Sequence, residues 1–543
     1  MPLFDQKLEQ KPDQKSDIHP SLKPFWQALQ QQDLARAKSL LQQLLQAFPE
    51  HSLCWLAASH FAEQSQQAVK ALEFARRAQA LAPETFSVRL RLLECLLLCQ
   101  QSAAAQTLAS ELISSAPDEA LTLSRLALQL SQLQQYDTAA RLYQRALQLQ
   151  PDNATLHFNY ATMLRICGEL AQAEQHVLSA LQLAPGDAEA WHFLAGLRKQ
   201  TPDSNHASAI RAQLARPDLS PKDQVQLYYA LAKTLEDLQH YQASFQALSQ
   251  GARIRRQHLH YQLEQDLAVM DAIADTFDAS LMQQAAPGCA SAEPIFILGL
   301  PRAGSTLLER FLGCSPQVQL AGELNNFAQC LQQAIRQLHP ARPAMEKMDK
   351  VAMVRQSAGV NWQQLGQAYL DSTRPLTGQK PHFVDKLPLN FLYLGLIALA
   401  LPKAKIIHIQ RDPMDHAYAI YKHLFANAYP FSYDLTELGR YMQGYQQLMQ
   451  HWQQLLPGRI HQVQYEQLVR QPEQVVPALF TFCELPWQDD YLNFHQLNQQ
   501  ASATGSASQI RQPVYQSSLQ RWRHFSNELA PLRPWLQTDS TTD

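Results

Sequence analysis

A chain of 543 residues is too long for one domain, and its 46% hydrophobic content excludes a disordered chain. A net charge of −3, from 45 basic and 48 acidic side chains, excludes bulk nucleic-acid binding.

The first seventeen residues, MPLFDQKLEQKPDQKSD, are polar and charged. They are expected to be a tail (1–17) and not a secretory signal. The longest apolar run, Phe391 to Leu401, is too short to span a bilayer. The eight cysteines stand apart, with no C-x-x-C pair, so neither a metal cluster nor a disulfide framework is expected. A cytoplasmic protein without a membrane span fits these features.

From residue 18 the chain repeats itself. Prolines recur at Pro49, Pro83, Pro117, Pro151 and Pro185, each 34 residues after the last, which is the period of the tetratricopeptide repeat (TPR). Twelve residues before each proline stands an alanine: Ala37, Ala71, Ala105, Ala139 and Ala173. Five before stand Ala78, Ala146 and Ala180, with Leu44 and Leu112 in the other two repeats. Small side chains at a fixed phase are what crossing helices need, and proline ends the second helix of each pair. The array is expected over 18–252, with the repeats degrading after Trp191 to Leu197 and one further hairpin from Asp218 to Gly251. Its groove is expected to hold a protein or peptide partner. Equally, the array could buttress its own catalytic domain or form a homo-oligomer contact. A single amphipathic helix, basic then acidic, is expected from Gly251 to Met282, within a linker over 253–290. The Pro287- and Gly288-containing stretch 283–293 is the expected boundary.

The second half opens on Pro294 to Leu298, PIFIL, an apolar run that predicts a strand buried on both faces. Gly299 and Gly304 bracket a turn, and Ser305, Thr306 and an apolar run at helical spacing follow. Strand, glycine-bracketed turn and helix start make a loop whose backbone N–H groups face one anion. The nucleotide-triphosphate form requires lysine where this chain has Ser305. Arg302 supplies a fork of donors suited to phosphate or sulfate. The alternative is an ordinary strand–helix turn. Val318 to Leu320 reads as a short strand with Glu323 beyond it, either a proton acceptor or a surface glutamate. His382 to Val384 reads as another strand, with Lys386 after it, either a loop charge or a donor to a group in transfer. Lys405 to Gln410 is the next strand. Arg411 ends it, Asp412 suits a helix N-cap and Pro413 the first turn, so Arg411 stands where a second anion could bind. Gln462 to Leu468 reads as a strand entering a helix. Thr504 to Arg523 is serine-rich, with Arg511, Arg521 and Arg523, and reads as a flap over an anion or as a plain loop. His408 reads as a core histidine.

Six motifs in order carry a resemblance: LPRAGSTLLERFL, AGELNNF, VDKLPLNF, IIHIQRDPMDHAYAIYKHLF, VQYEQLVRQPE and QIRQPVYQSSLQRWR. Together with the repeats they resemble bacterial TPR–sulfotransferase proteins and, more distantly, tyrosylprotein sulfotransferases. The resemblance implies an all-α TPR solenoid followed, over 291–535, by an α/β P-loop-like sulfotransferase domain, with a parallel sheet covered by helices on both faces and a tail over 536–543. It implies 3′-phosphoadenosine 5′-phosphosulfate (PAPS) as co-substrate, no metal, and a hydroxyl, phenol or amine acceptor. Arg302, Ala303, Gly304, Ser305 and Thr306 would hold the 5′-phosphosulfate. Glu323, 21 residues beyond Arg302, would be the general base, and Lys386 would steady the leaving phosphate. Arg411 would bind the 3′-phosphate, Ser506 (or Ser508) would lie near the sulfuryl group, and Arg521 would contact the cofactor. Ala419 departs from the family pattern, which has a serine there on the 3′-phosphate. Ala303, where a serine is common, departs too. Two other readings stand beside this one: a non-enzymatic TPR scaffold with a degenerate cofactor site, and a P-loop nucleotide kinase.

Overall fold

The computed structural model describes residues 22–338, 349–426, 428–498, 500–501 and 511–536. The chain forms two compact units that divide between Pro185 and Gly186.

The first unit holds ten helices among its described residues, from Lys23–Gln30 to Leu170–Leu183, paired as helical hairpins. The periodic alanines do what their phase requires. Ala37, Ala71, Ala105, Ala139 and Ala173 are fully buried, so a larger side chain at any of them would push paired helices apart. A second 34-residue clock lies in the backbone. Gln32, Gln66, Gln100 and Gln134 all adopt φ of 57–59°, and Gly168 takes the equivalent turn at φ 96°.

The second unit joins the later helices to a five-stranded sheet. The strands are β1 (Pro294–Leu298), β2 (Val318–Leu320), β3 (His382–Lys386), β4 (Lys405–Gln410) and β5 (Ile460–Gln464). All neighbours are parallel, in the order β2-β3-β1-β4-β5. Every residue of β1 is buried. Phe296 and Leu298 belong to one core, Ile295 and Ile297 to the other, so helices cover both faces. The chain leaves β1 for one side of the sheet and later returns to its other side as β4, which makes the carboxyl end of β1 a topological switch point.

The first of those cores does not stop at the sheet. It runs from Ala188 and Tyr229 through Phe245, Met270 and Phe277 to Phe296 and Trp452. The stretch 283–293, expected as the boundary, lies inside this unit, and Cys289 N–H donates to the Ala400 carbonyl at 2.8 Å. The single helix expected from Gly251 to Met282 is instead three pieces: Tyr241–Gln257, Leu263–Thr276 and Ala279–Gln284. The first break has a local cause. The Arg256 guanidinium turns back onto the carbonyls of Leu259 and Tyr261, at 3.3 and 3.1 Å, and pairs with Glu437 at 2.7 Å. Among the described residues no helix is long and apolar enough to cross a membrane.

Candidate functional site

Three strands end side by side. Ile297 of β1 pairs in register with Lys386 of β3, and Leu298 with His408 of β4. The loop after β1, the Lys386 side chain and Arg411 therefore share one edge of the sheet.

The loop itself is tightly held. Gly299 adopts φ 145°, and a Cβ there would lie 2.6 Å from the Ile409 carbonyl oxygen. Gly304 adopts φ 105° and caps the helix Ser305–Leu312; a Cβ there would lie 2.5 Å from the Tyr465 ring. Both positions exclude any other residue on backbone and space together. Arg302 also stands in the left-handed region, at φ 68°, a strain found at sites where geometry is imposed by function. Ala303, Ser305 and Thr306 are buried. A buried side chain fastens the turn from outside. His416 meets the Pro301 carbonyl at 3.0 Å through Nε2, and burial pushes its pKa down to about 3, so the ring is neutral and donates.

Arg411 reaches across from β4. Its Nη1 donates to the Arg302 carbonyl at 3.2 Å, its Nη2 to the Ser518 carbonyl at 2.8 Å, and its guanidinium lies 4.8 Å from the Tyr465 ring centre. Its Nε is buried with no hydrogen-bond partner among the described residues. Burial, together with the like charge of Arg411, lowers the Arg302 pKa. Two guanidiniums at one turn, each opposing the other, favour an anion between them.

At the next strand end Lys386 donates to Glu323 Oε1 at 2.6 Å and is 1% exposed. The β2 loop is stitched to β3 by Ala321 N–H on the Val384 carbonyl and Lys386 N–H on the Gly322 carbonyl, which fixes Glu323 over the lysine. Glu323 Oε2 is buried with no hydrogen-bond partner among the described residues. Burial works against a charged lysine, yet Glu323 and then Glu309 outweigh it and the Lys386 pKa is raised. Glu309, buried on the helix that follows the loop, has its own pKa raised by burial. It escaped sequence reasoning because a glutamate on an amphipathic helix reads as solvated, and its burial comes from tertiary packing.

The described part of the expected flap folds onto this edge. Asp415 accepts from the backbone N–H groups of Gln520, at very short range, and of Trp522 at 3.1 Å. Tyr465 and Ser518 share a hydroxyl bond of 2.8 Å. Arg310 holds the chain ahead of it, through Asn498 and the carbonyls of Gln500 and Ala501. Ser506 and Ser508 lie outside the described residues. Arg521 pairs with Glu236 at 2.8 Å, a partner from the helix Pro221–Asp237 that sequence reasoning did not supply. Ala419 is buried on the helix Pro413–Tyr421 and offers no donor. His408 is the core histidine expected, 2.5 Å from the Tyr445 hydroxyl through Nε2.

The arrangement thus presents a glycine-bracketed turn with two guanidiniums and, one strand away, a largely buried carboxylate–ammonium pair. A model of the sulfotransferase family matches residues 294–489, and tetratricopeptide repeat models match 25–86 and 130–197. An uncharacterised protein of Aquifex aeolicus is 31% identical over 339 residues, 60% of this chain and 43% of that one. A protein-tyrosine sulfotransferase of Drosophila melanogaster is 24% identical over 42% of this chain and 46% of its own length. Protein-tyrosine sulfotransferase 1 of Danio rerio is 30% identical over 42% and 65%. The matches span 43 to 65% of these relatives. Residues 294–489 belong to the sulfotransferase family, and tetratricopeptide repeats precede them in the same chain.

Proposed function

We propose that this chain is a PAPS-dependent sulfotransferase acting on a hydroxyl, phenol or amine. The reading is carried by one observation: the Arg302 turn and Arg411 are joined directly, at 3.2 Å, with the Glu323–Lys386 pair on the adjoining strand end. Two separated phosphates on one ribose need two cation-bearing strand ends within the reach of one nucleotide. The buried Arg411 Nε and Glu323 Oε2, each without a hydrogen-bond partner among the described residues, fit a bound nucleotide and its acceptor.

When bound, the nucleotide would supply a sulfuryl group to be displaced in line from its 5′-phosphate. The chain's own part is positioning and charge. Backbone N–H groups at Gly304 to Thr306 face the anion at the helix N-terminus. Arg302 lays a guanidinium beside it. Glu323 takes the acceptor's proton on Oε2, the oxygen that Lys386 leaves free. Lys386, held by Oε1, keeps a positive charge at the leaving oxygen. The tyrosine sulfotransferases among the relatives make a peptide phenol the first acceptor to test, and the repeat array the first candidate to bind that peptide.

Titration calorimetry of the full chain with 3′,5′-adenosine bisphosphate tests the nucleotide, and labelled PAPS in a cell extract tests the transfer. Binding of the bisphosphate and label entering protein support the reading. Magnesium–ATP binding with none of the bisphosphate would revive the kinase, and no binding of either would favour the scaffold.

A further inference from the structure

The residues that complete the cation cluster are not all inside the stretch matched to the family. Glu236 stands near the end of the helix Pro221–Asp237, about sixty residues before β1, and is 9% exposed. It grips two cations of the sheet-bearing half at once. Lys422 Nζ donates to its two oxygens at 2.9 and 3.1 Å, and Arg521 Nη1 donates to Oε1 at 2.8 Å. Each cation is steadied a second time. Lys422 lies 4.8 Å from the Tyr418 ring centre, and Arg521 Nε donates to the Ser517 carbonyl at 2.9 Å. Ser517 is next to Ser518, the residue that Arg411 holds. Lys422 is one turn beyond Ala419, the position with no hydroxyl to offer a phosphate.

We propose that Glu236 is a positioning residue of the nucleotide site: it pre-orders Lys422 and Arg521 beside Arg302 and Arg411, so that the helical hairpin is part of that site. This rests on the sulfotransferase reading above. Lysine and arginine lose the most side-chain freedom when a ligand immobilises them, and a carboxylate that already holds them removes that loss from binding. The same carboxylate repels a phosphate, so the sign is decided by counting. Glu236 carries one negative charge and holds two positive ones, on Lys422 and Arg521, so the trio stays net positive toward a nucleotide. Ordering therefore outweighs repulsion. Glu236 touches no reacting atom in this scheme and acts only through the two side chains it holds.

The test is a double-mutant cycle on the full chain, read as the dissociation constant of 3′,5′-adenosine bisphosphate by calorimetry. Glu236→Gln keeps the shape and removes the charge. It is expected to weaken binding about tenfold, the size of one charge-assisted hydrogen bond. In a Lys422→Met/Arg521→Met background the same change should alter binding less than about twofold, because nothing is left for Glu236 to order. The triple variant Glu236→Met/Lys422→Met/Arg521→Met, which removes the charges together, covers the case in which the single variant does not fold. Unchanged or tighter binding by Glu236→Gln overturns the proposal. So does an equal loss in the two backgrounds, which would mark a purely structural residue. Absence of binding by the unaltered chain would overturn the nucleotide reading itself, and this inference with it.

Discussion

In the proposed mechanism Glu323 takes a proton and Lys386 holds charge; the two side chains are clamped to each other at 2.6 Å, with the lysine buried and the carboxylate largely so. Removing one member leaves the other buried and uncompensated, which costs about 3–5 kcal/mol. Glu323→Ala would therefore confuse folding with chemistry, and Glu323→Gln is the cleaner variant. It is expected to lower transfer by about 10²–10⁴-fold. Bisphosphate affinity should change little, since the proposed mechanism sets Glu323 against the acceptor and not the phosphates. Transfer rates and calorimetry on the same preparation check this; a matching loss of affinity would move Glu323 out of the proton-accepting role. Buried histidines supply a second residue-scale prediction. Burial pushes His408 and His416 down to about 3, well under the ordinary histidine value. The fold holds them neutral while the unfolded chain takes up protons below about pH 6.5. Their stabilising contribution is thus full above that value and lost as pH falls toward 3. Each is expected to cost about 2 kcal/mol of stability between pH 6.5 and 5. Asp385 runs the other way. Its carboxyl is pushed up to about 7 by burial, against the pull of Tyr369 and Asn390, so its contribution is full at low pH and lost as pH rises toward 7. Denaturant melts of His416→Gln at pH 5 and pH 7.5 isolate the histidine: the variant's stability should fall less on acidification than that of the unaltered chain.

Between the two helices of each repeat the chain turns on a left-handed residue, and four of these turns use glutamine where Gly168 shows that glycine fits. A non-glycine residue is strained there by about 1–2 kcal/mol, and glycine's extra freedom when unfolded returns part of the gain. Gln66→Gly and Gln100→Gly should each stabilise the array by about 0.5–1 kcal/mol net. Urea melts check this, and a loss of stability would mean that the glutamine side chains contribute more than their backbone costs. The elements were the most legible part of the sequence. Four strands were predicted within two residues, because each ends at a turn or a charged residue: Gly299 after β1, Ala321-Gly322 after β2, Lys386 in β3, Arg411 after β4. The fifth was expected from Gln462 and begins at Ile460, because IHQVQ is half polar and gives little pattern to read. Asp412 caps its helix as expected, through Asp415 N–H at 2.8 Å. The repeats were legible from the proline clock. The break after Gln257 was not, since it rests on where the Arg256 guanidinium folds back, and no pattern of types encodes that.

At the scale of the molecule the site was half legible. Arg302, Glu323, Lys386 and Arg411 could be placed on one sheet edge because strand ends in a parallel sheet gather there. Glu236, Glu309 and Asp415 could not, since each matters through a contact made by tertiary packing, and Glu236 lies 186 residues from its lysine. The same packing makes a prediction about which part of the chain can live alone. One core unites Ala188, Tyr229, Phe245, Met270 and Phe277 with Phe296, Leu394 and Trp452. A fragment starting at residue 291, the edge of the expected sulfotransferase domain, would strip that core of its helices. The face that Gly395 packs against Trp452 and Phe277 would be open to water, and the Arg256–Glu437 and Lys422–Glu236 pairs would be broken. Uncovering even a few large side chains costs about 1.5–3 kcal/mol each, a sum comparable with the whole margin of an ordinary domain. A fragment starting at Gly186 keeps every one of these contacts. It is expected to unfold in one cooperative transition and to bind 3′,5′-adenosine bisphosphate about as well as the full chain, whereas the 291 fragment is expected to aggregate or melt without cooperativity. Circular dichroism melts and calorimetry of the two fragments decide it. A well-folded 291 fragment with full affinity would show that the late helices only decorate the sheet.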